Sequence, residues 1–299
     1  MKAATAKTRT RFENILFATD FSPAAAHAIP FVKKLVRHFQ SNLVALHVEP
    51  PVVNPMTQPA TWPAVIEAAK AADERHREEL RETFAGINTE ILLEEGNVMS
   101  QLEKALENYD TDLVIIGTRG RTGLAKVLLG SIAEEIFRTV PCPVLTVGPH
   151  SDPARANIRE ILFTTDFASE APAAAAHAVS LAQEFQARLT MLHVVPEGKP
   201  GDLVVWSDVR DSSKQLLSKL VPDEALAWCK LEYFVERGDP AERILDLANL
   251  REVDLIVLGA QPERGVPGAA THLPIATAHK VIAHAKCPVL TVRCTSSQS

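Results

Sequence analysis

The stretch from Gly117 to Ser131 reads GTRGRTGLAKVLLGS, and the arrangement of the rest of the chain follows from it. It is preceded by LVII at 113–116, and a short branched apolar run bounded by glycine predicts a strand buried on both faces. It is followed at 132–137 by apolar residues at helical spacing. We therefore interpret the stretch as a loop that leaves the carboxyl end of a parallel strand and enters a helix, where open α/β sheets bind ligands.

The glycines of this loop have a chemical use and a simpler explanation. Glycine lets backbone N–H groups approach a phosphate, and a helix amino terminus adds donors and the positive end of its dipole. Ser131 would add a hydroxyl there. The alternative is a plain glycine-rich connection in which Ser131 caps the helix. The stretch is neither a Walker A loop nor a G-x-G-x-x-G motif, so both interpretations stay open on the glycines alone.

The composition is that of a globular chain of ordinary domains. Its 299 residues are 46% hydrophobic and 23% charged, which suggests roughly two domains. The net charge of −6 disfavours a nucleic-acid binder, because neutralising phosphates needs a basic face. The first residues lack the apolar core of a signal peptide, and no run approaches the ~18 apolar residues of a membrane span.

The four cysteines predict free thiols rather than disulfides or metal sites. They stand at 142, 229, 287 and 294 and form no C-x-x-C pair. Cys142 and Cys287 fall in strand-like contexts, where a buried thiol is expected. This usage fits a reducing compartment, so we expect a cytoplasmic protein.

The chain repeats itself. The segment ENILFATDF at 13–21 returns as EILFTTDF at 160–167, and CPVLTV at 142–147 returns at 287–292. One unit of roughly 145 residues has been duplicated. We therefore predict two domains, which comprise residues 1–150 and 151–299.

Both copies alternate strand and helix patterns, and that order requires a parallel sheet with right-handed crossovers. A polar, turn-forming segment at 149–156 is expected to link them, and the proline-rich segment 50–63 to be an irregular loop. In the first copy we predict strands at 14–19, 43–48, 89–93, 112–116 and 143–147, and helices at 23–39, capped by Ser22, at 64–84, at 98–107 and from 132 onward.

The spacing of the glycines is more informative than the glycines themselves. Gly117, Gly120 and the pair Gly130-Ser131 follow the pattern G-2x-G-9x-G-S, and the first strand ends in Asp20. On these features, and on a last strand that opens with P-C-P, the chain resembles the nucleotide-binding universal stress proteins over both copies. The resemblance implies an α/β fold of two tandem doubly wound domains. Each would hold a five-stranded parallel sheet in the order 3-2-1-4-5 with helices on both faces.

The resemblance also implies a site for ATP, with or without Mg²⁺, in the N-terminal domain only. It implies that Asp20 and the backbone of Val48 contact the base and that Gly117 lies near the ribose. The later glycines, the serine and a helix amide would hold the phosphates, and an arginine would add charge. The implied site residues are Ala18, Thr19, Asp20, Val48, Gly117, Arg119, Gly120, Gly130, Ser131 and Ile132.

Several of these residues have simpler explanations. Asp20 can cap the helix predicted to begin at Pro23, and Val48 can be an ordinary core valine at a strand end. The loop cations Arg119, Arg121 and Lys126 can be solvated. His47 and His193 recur at one strand position, and we interpret them as structural because the sequence shows no metal-ligand partner at suitable spacing.

The second copy departs from the pattern in the decisive loop. After Gly259 it reads AQPERG, and Pro262 cannot donate a backbone N–H. Counting back from the cysteines, Ile275 and Ala276 stand where the first copy has Gly130-Ser131. We therefore predict that this copy does not bind ATP in the same manner and is a structural partner or a site for another ligand.

The function that these inferences favour is a stress-responsive protein that binds adenine nucleotide and acts through conformation and partner binding. A slow ATP hydrolase and an interaction module that binds no nucleotide stay open as alternatives; no catalytic or metal-binding residue is assigned. No nucleic-acid or membrane partner is expected. Members of the resembled family pair along the fifth strand, so the segments 142–147 and 287–292 are expected to pair within the chain as an internal pseudo-dimer, with a further homodimer possible.

Overall fold

The computed structural model describes residues 10–49, 62–118, 130–197, 205–259 and 273–293, and strands and helices alternate through both halves. The first half contains β1 Asn14–Ala18, α1 Pro23–Phe39, β2 Asn42–Glu49, α2 Trp62–Thr83, β3 Thr89–Glu95, α3 Val98–Asn108, β4 Leu113–Gly117, α4 Ser131–Thr139 and β5 Val144–Val147. The second half contains β6 Glu160–Thr164, α5 Ala171–Phe185, β7 Arg188–Val195, α6 Trp206–Lys219, β8 Leu231–Arg237, α7 Pro240–Leu250, β9 Leu255–Gly259, α8 Leu273–His284 and β10 Val289–Val292.

The strands form one ten-stranded sheet in the order β3-β2-β1-β4-β5-β10-β9-β6-β7-β8. Strands within each half are parallel, whereas β5 and β10 are antiparallel to each other. The predicted order 3-2-1-4-5 is therefore confirmed in both halves, and so is the predicted pairing of the two fifth strands. β2 and β3 end slightly later than predicted, at Glu49 and Glu95.

Helices cover both faces of the sheet. Most strand residues are apolar, whichever face their side chains point to, so both faces must be buried. One buried cluster packs under α1, α2, α5 and α6 and includes Phe17 and Phe163. The other packs under α3, α4, α7 and α8 and includes Leu16 and Leu162. Both clusters run through the two halves, so the chain has two shared cores. In the part of the chain that the structure describes, no helix is long and apolar enough to cross a membrane.

The two halves meet at the β5–β10 pair, called the seam below, and they also contact each other on both faces of the sheet. In the ladder, Leu145 is opposite Leu290. On one face His38 at the end of α1 stacks on Phe185 at the end of α5, with ring centroids 4.3 Å apart. On the other face the seam is tight at Gly148, where an added Cβ would lie 2.7 Å from the Ile282 carbonyl oxygen.

The linker between the repeats is packed rather than free. Asp152 caps a short 3-10 turn at Pro153–Ala156 by accepting a hydrogen bond from the Ala154 amide at 2.9 Å. The Asp152 amide donates to the Lys286 carbonyl oxygen at 3.0 Å. The Ser151 carbonyl accepts from His27 Nε2 at 2.7 Å. The predicted turn-forming segment thus also attaches the second half to α1.

The cysteines that lie two residues before β5 and β10 are expected to resist alkylation. Burial is the main cause that raises the pKa of both Cys142 and Cys287 to about 12, and both are free thiols. At pH 8 we expect iodoacetamide to modify them at least about tenfold more slowly than in the urea-unfolded chain, since the thiolate is the nucleophile. Mass mapping of each cysteine peptide measures this, and equal rates in the folded and unfolded chains would contradict it.

Candidate functional site

The chain makes a tight, hydrogen-bonded turn as it leaves β1. The Thr19 amide still donates to the Leu46 carbonyl oxygen on β2, at 2.9 Å. The Thr19 hydroxyl then accepts from the Phe21 amide at 3.1 Å, and Asp20 Oδ1 accepts from the Ser22 amide at 3.0 Å. Phe21 has a φ of 58°, an unusual value for a residue with a side chain. Such backbone is held only where the surroundings fix it, so the position of the Asp20 carboxylate is well defined.

Asp20 does not cap α1, so this simpler explanation is wrong. The cap is Ser22, whose hydroxyl accepts from the Ala25 amide at 3.2 Å, and Pro23 is the first helical residue. The turn uses Oδ1 of Asp20, and Oδ2 takes no part in it. A carboxylate oxygen is therefore left at the strand end for other chemistry.

The ends of β1, β2 and β4 meet at one edge of the sheet. In the ladder Ala18 is level with Leu46 on one side and Ile116 on the other. Asp20, Val48 and Gly117 follow these positions directly, so three predicted site residues lie together. Because β2 and β4 flank β1 and the chain then continues to opposite ends of the half-sheet, this is the switch point where such folds bind ligands. The half-buried Val48 side chain packs on the apolar cluster, as its simpler explanation expects.

Gly117 has a packing role that the sequence did not reveal. A Cβ at this position would lie 2.5 Å from the Ala24 carbonyl oxygen and 2.8 Å from the Ala25 nitrogen. Only glycine allows the first turn of α1 to come this close to the end of β4. This contact accounts for the glycine without a ligand, and its place near a ribose stays a prediction.

α4 begins at the same edge, and among the described residues none accepts a hydrogen bond from the amides of Ser131 and Ile132. Gly130 is its N-cap, and Ser131 is the first helical residue rather than the cap, so that simpler explanation is also wrong. The Gly130 amide donates to the Thr118 carbonyl oxygen at 2.9 Å, which fastens the helix to the end of β4. The first intrahelical bond comes from the Glu134 amide. The amides of Ser131 and Ile132 precede it, at the positive end of the helix dipole.

Thr118 is a residue that the sequence analysis missed. It is 3% exposed, and its hydroxyl oxygen is buried without a hydrogen-bond partner. An unsatisfied buried hydroxyl is costly, and this one belongs to the residue between Gly117 and the loop that is predicted to hold the phosphates. The one sequence clue was its position between two predicted contact residues. Of the other predicted residues, Arg119, Gly120, Arg121 and Lys126 lie outside the described part of the chain.

The second half repeats the turn after its first strand. The Thr165 hydroxyl accepts from the Phe167 amide at 2.9 Å, and Asp166 Oδ1 accepts from the Ala168 amide at 3.0 Å. Phe167 has a φ of 63°. The strand-end turn thus belongs to the repeat unit and does not by itself distinguish a nucleotide site.

The second-half edge opens into a cleft of about 260 Å³ with a mostly apolar lining that includes two carboxylates. Asp166 and Glu170 line it, and no described lysine or arginine does. Glu170 is 4% exposed; its Oε1 accepts from the Ser169 hydroxyl at 2.7 Å, whereas Oε2 has no partner. Arg293 faces this charge from the end of β10. Burial lowers the pKa of Arg293 and Arg138 lowers it further, while Glu170 raises it.

The helix that enters the second half's last strand begins differently. Ile275 and Ala276, which stand where the first copy has Gly130 and Ser131, lie inside α8 because that helix already begins at Leu273. The donors of a helix amino terminus are therefore not at the equivalent place. The segment 260–272, with Pro262, lies outside the described residues.

A doubly wound sheet of this order, present in each half and continued through the antiparallel pair of fifth strands, defines the class of tandem doubly wound α/β proteins. The model of the universal stress protein family matches residues 11–148 and again 157–293. The chain belongs to the universal stress protein family.

Relatives match the whole chain as well as single repeats. A universal stress protein of Mycolicibacterium smegmatis is 24% identical, over 93% of this chain and 96% of the relative. One from Methanocaldococcus jannaschii is 28% identical, over 46% of this chain and 82% of the relative. Among solved structures, a universal stress protein from Archaeoglobus fulgidus superposes with a TM-score of 0.68 at 20% identity, covering 94% of this chain and 98% of that one. This likeness shows the fold of the complete tandem.

Proposed function

We propose that the first half binds ATP at the edge formed by β1, β2 and β4, and that this binding regulates the protein's conformation and partners in a stress response. The observation that carries the proposal is the convergence of the α4 amino terminus with the Asp20 turn. Open helix amides favour a phosphate, and a carboxylate accepts hydrogen bonds from base or ribose. Universal stress proteins are stress-related and some bind ATP, which supports the same assignment.

The proposed roles follow the positions of the residues. The phosphates lie against the amides of Ser131 and Ile132, with the missing side chains of Gly120 and Gly130 leaving room and Arg119 adding charge. The ribose lies against Ala18, Thr19 and Gly117. The base contacts Asp20 and the backbone of Val48. The Gly130 amide is already engaged with Thr118, so its part in the proposal is the space that it leaves.

We place ATP in the first half alone because the second-half cleft opposes a triphosphate. The buried Glu170 carboxylate lines it, and the helix amides are displaced. Charges of like sign repel at short range, so a phosphate beside Glu170 is disfavoured.

Calorimetric titration with ATP tests the stoichiometry and the site together. For the full chain we expect one ATP bound. Asp20→Asn should weaken binding at least about tenfold, since it removes a charge-assisted hydrogen bond. Asp166→Asn is the matched control, because it alters the same turn in the other repeat and should leave affinity unchanged.

Three outcomes would contradict the proposal. They are two bound ATP per chain, equal losses in the two variants, and wild-type chain that binds no ATP. Thermal melts of both variants without nucleotide show that each remains folded. Mass spectrometry of small molecules released by heat from the purified protein identifies the nucleotide independently.

A further inference from the structure

Three side chains with metal-binding atoms converge beyond the carboxyl end of β2. They are His47, Glu49 and His76, and one ligand atom from each lies within 4.8 Å of the other two. His76 is distant from His47 in sequence and lies on the next helix, so no spacing pattern links the two. Glu49 is two residues after His47 and lies in β2, which extends through it.

The fold explains why these residues meet. Alternate residues of a strand project to one face, so His47 and Glu49 lie on the same side of β2. α2 packs on that face and brings His76 above them. The Phe21 ring stacks on the His76 ring at 4.1 Å between centroids and meets the His47 ring edge-on at 4.8 Å. His47 is 3% exposed, so the cluster has a dry, packed base.

The contacts of His47 indicate which of its ring nitrogens carries the hydrogen. Its Nδ1 lies 2.7 Å from the Thr19 carbonyl oxygen, and a carbonyl can only accept, so Nδ1 carries the hydrogen. Nε2 of the neutral ring then presents a lone pair, 3.1 Å from Glu49 Oε1. A cation placed between these two atoms would be held by both of them.

We propose that this cluster binds a divalent transition-metal ion, with zinc preferred. Its ligands are His47 Nε2, the Glu49 carboxylate and one ring nitrogen of His76, and a fourth position stays open. Two imidazoles and a carboxylate are a common zinc ligand set. Ligands at zinc bond lengths lie roughly 3.4 Å apart in a tetrahedron. The His47–Glu49 pair, at 3.1 Å, is already at that spacing, and a small ring movement of His76 completes the set.

A histidine that ligates zinc generally donates its other N–H to a carbonyl or carboxylate, and the bond from His47 to Thr19 has this form. The neighbouring strand adds negative charge, since Glu95 on β3 is the ladder partner of Glu49. The hydrogen bond from His47 to Thr19 and the negative charge of Glu95 therefore both favour a cation at this place.

Comparison with the second repeat shows which features of the cluster both repeats share and which occur only in the first. His193 keeps the bond to a carbonyl, from Nδ1 to Thr165 at 2.8 Å, and the contact with Phe167 at 4.4 Å between centroids. The position of Glu49 is taken by Val195 on β7. The histidine and the phenylalanine thus belong to the repeat, whereas the carboxylate is particular to the first half. We expect one metal ion per chain.

The metal site adjoins the proposed nucleotide site, since the Thr19 carbonyl accepts from His47 and Val48 lies between His47 and Glu49. Its ligands lie on the α2 face of the sheet, however, whereas α4, whose amides would hold the phosphates, lies on the other face. The experiment therefore uses the full chain without nucleotide, stripped of metal with a chelator and dialysed. Zinc is titrated in competition with a chromophoric chelator, and cobalt(II) is added separately for its visible spectrum.

We expect one zinc per chain and a cobalt spectrum of four-coordinate intensity. Glu49→Gln keeps the size of a partly exposed side chain and should weaken zinc binding at least tenfold. His76→Gln should do the same and remove the cobalt bands. The control is His284→Gln, on the exposed side of α8, which should bind as the wild type does.

Zinc binding that is equal in the wild type and the Glu49→Gln/His76→Gln double variant would overturn the proposal. A wild-type chain that takes up no zinc would also overturn it. So would a wild-type chain that binds zinc no more tightly than the Glu49→Gln and His76→Gln variants do. Thermal melts without metal identify any variant that has lost its fold. In that case the milder Glu49→Gln substitution decides.

Discussion

Replacing Gly117 with alanine is expected to destabilise the protein by about 3 kcal/mol or more, a loss in the range of backbone clashes in a packed core. The new Cβ would lie 2.5 Å from the carbonyl oxygen of Ala24, well inside contact distance. That oxygen belongs to the first turn of α1, and the helix is held by Phe31, Val32 and Leu35 in the shared core. A flexible side chain could move aside, but here the helix backbone must shift.

Urea denaturation followed by circular dichroism measures this loss, and the second repeat provides the control. Gly259 ends β9 as Gly117 ends β4, yet an added Cβ there comes no closer than 3.2 Å, to the Glu170 Cβ, with the Glu170 backbone carbon and oxygen at 3.6 and 3.7 Å. Gly259→Ala should therefore cost less than about 1 kcal/mol. Equal losses at the two glycines would contradict the argument. Because Gly117 is needed for packing, its variants cannot serve to test ribose contact.

The second large effect is expected at the seam. Leu145 and Leu290 face each other in the antiparallel pair of β5 and β10, and they are 3% and 1% exposed. Truncating either to alanine should cost about 3 kcal/mol, as for buried leucines elsewhere. Because directly opposed side chains share contacts, the double variant should lose less than the sum of the two, by about 0.5–1 kcal/mol.

Urea denaturation of the four proteins in this cycle gives the coupling energy. Leu217 on α6 is fully buried but packs under β7 and β8, several strands from the seam. Combining Leu145→Ala with Leu217→Ala should therefore give additive losses. A single cooperative transition in the wild type is also expected, since both cores run through the two halves. Coupling near zero across the seam would show that the halves are stabilised separately.

The sequence was sufficient for the architecture because the signals that determine it are local and occur twice. Apolar runs such as LVII at 113–116, the duplicated CPVLTV and the cap Ser22-Pro23 each specify a nearby element. Alternating strands and helices then leave few topologies. The resemblance to a family supplied the strand order and the pairing of the fifth strands.

The finer features of the site depend on distant contacts, which no short pattern encodes. The proximity of Gly117 to Ala24 and of His76 to His47 arises only when α1 and α2 pack on the sheet. The orphaned hydroxyl of Thr118 and the buried carboxylate of Glu170 are likewise products of burial. Asp20 and Ser131 were identified correctly as residues of the sheet edge, but their capping alternatives could be rejected only from the hydrogen bonds.

The antiparallel pairing of β5 with β10 makes the molecule bipolar. Strands that meet at the central pair run in opposite directions, so the Asp20 edge and the Asp166 edge lie at opposite strand ends. The order also places five strand spacings of about 4.8 Å, roughly 24 Å, between β1 and β6. Two small ligands bound at these poles cannot touch, and any influence of one on the other must travel through the central ladder. A macromolecule that contacted both edges at once would have to reach around the sheet. Two smaller partners could each bind one edge without competing.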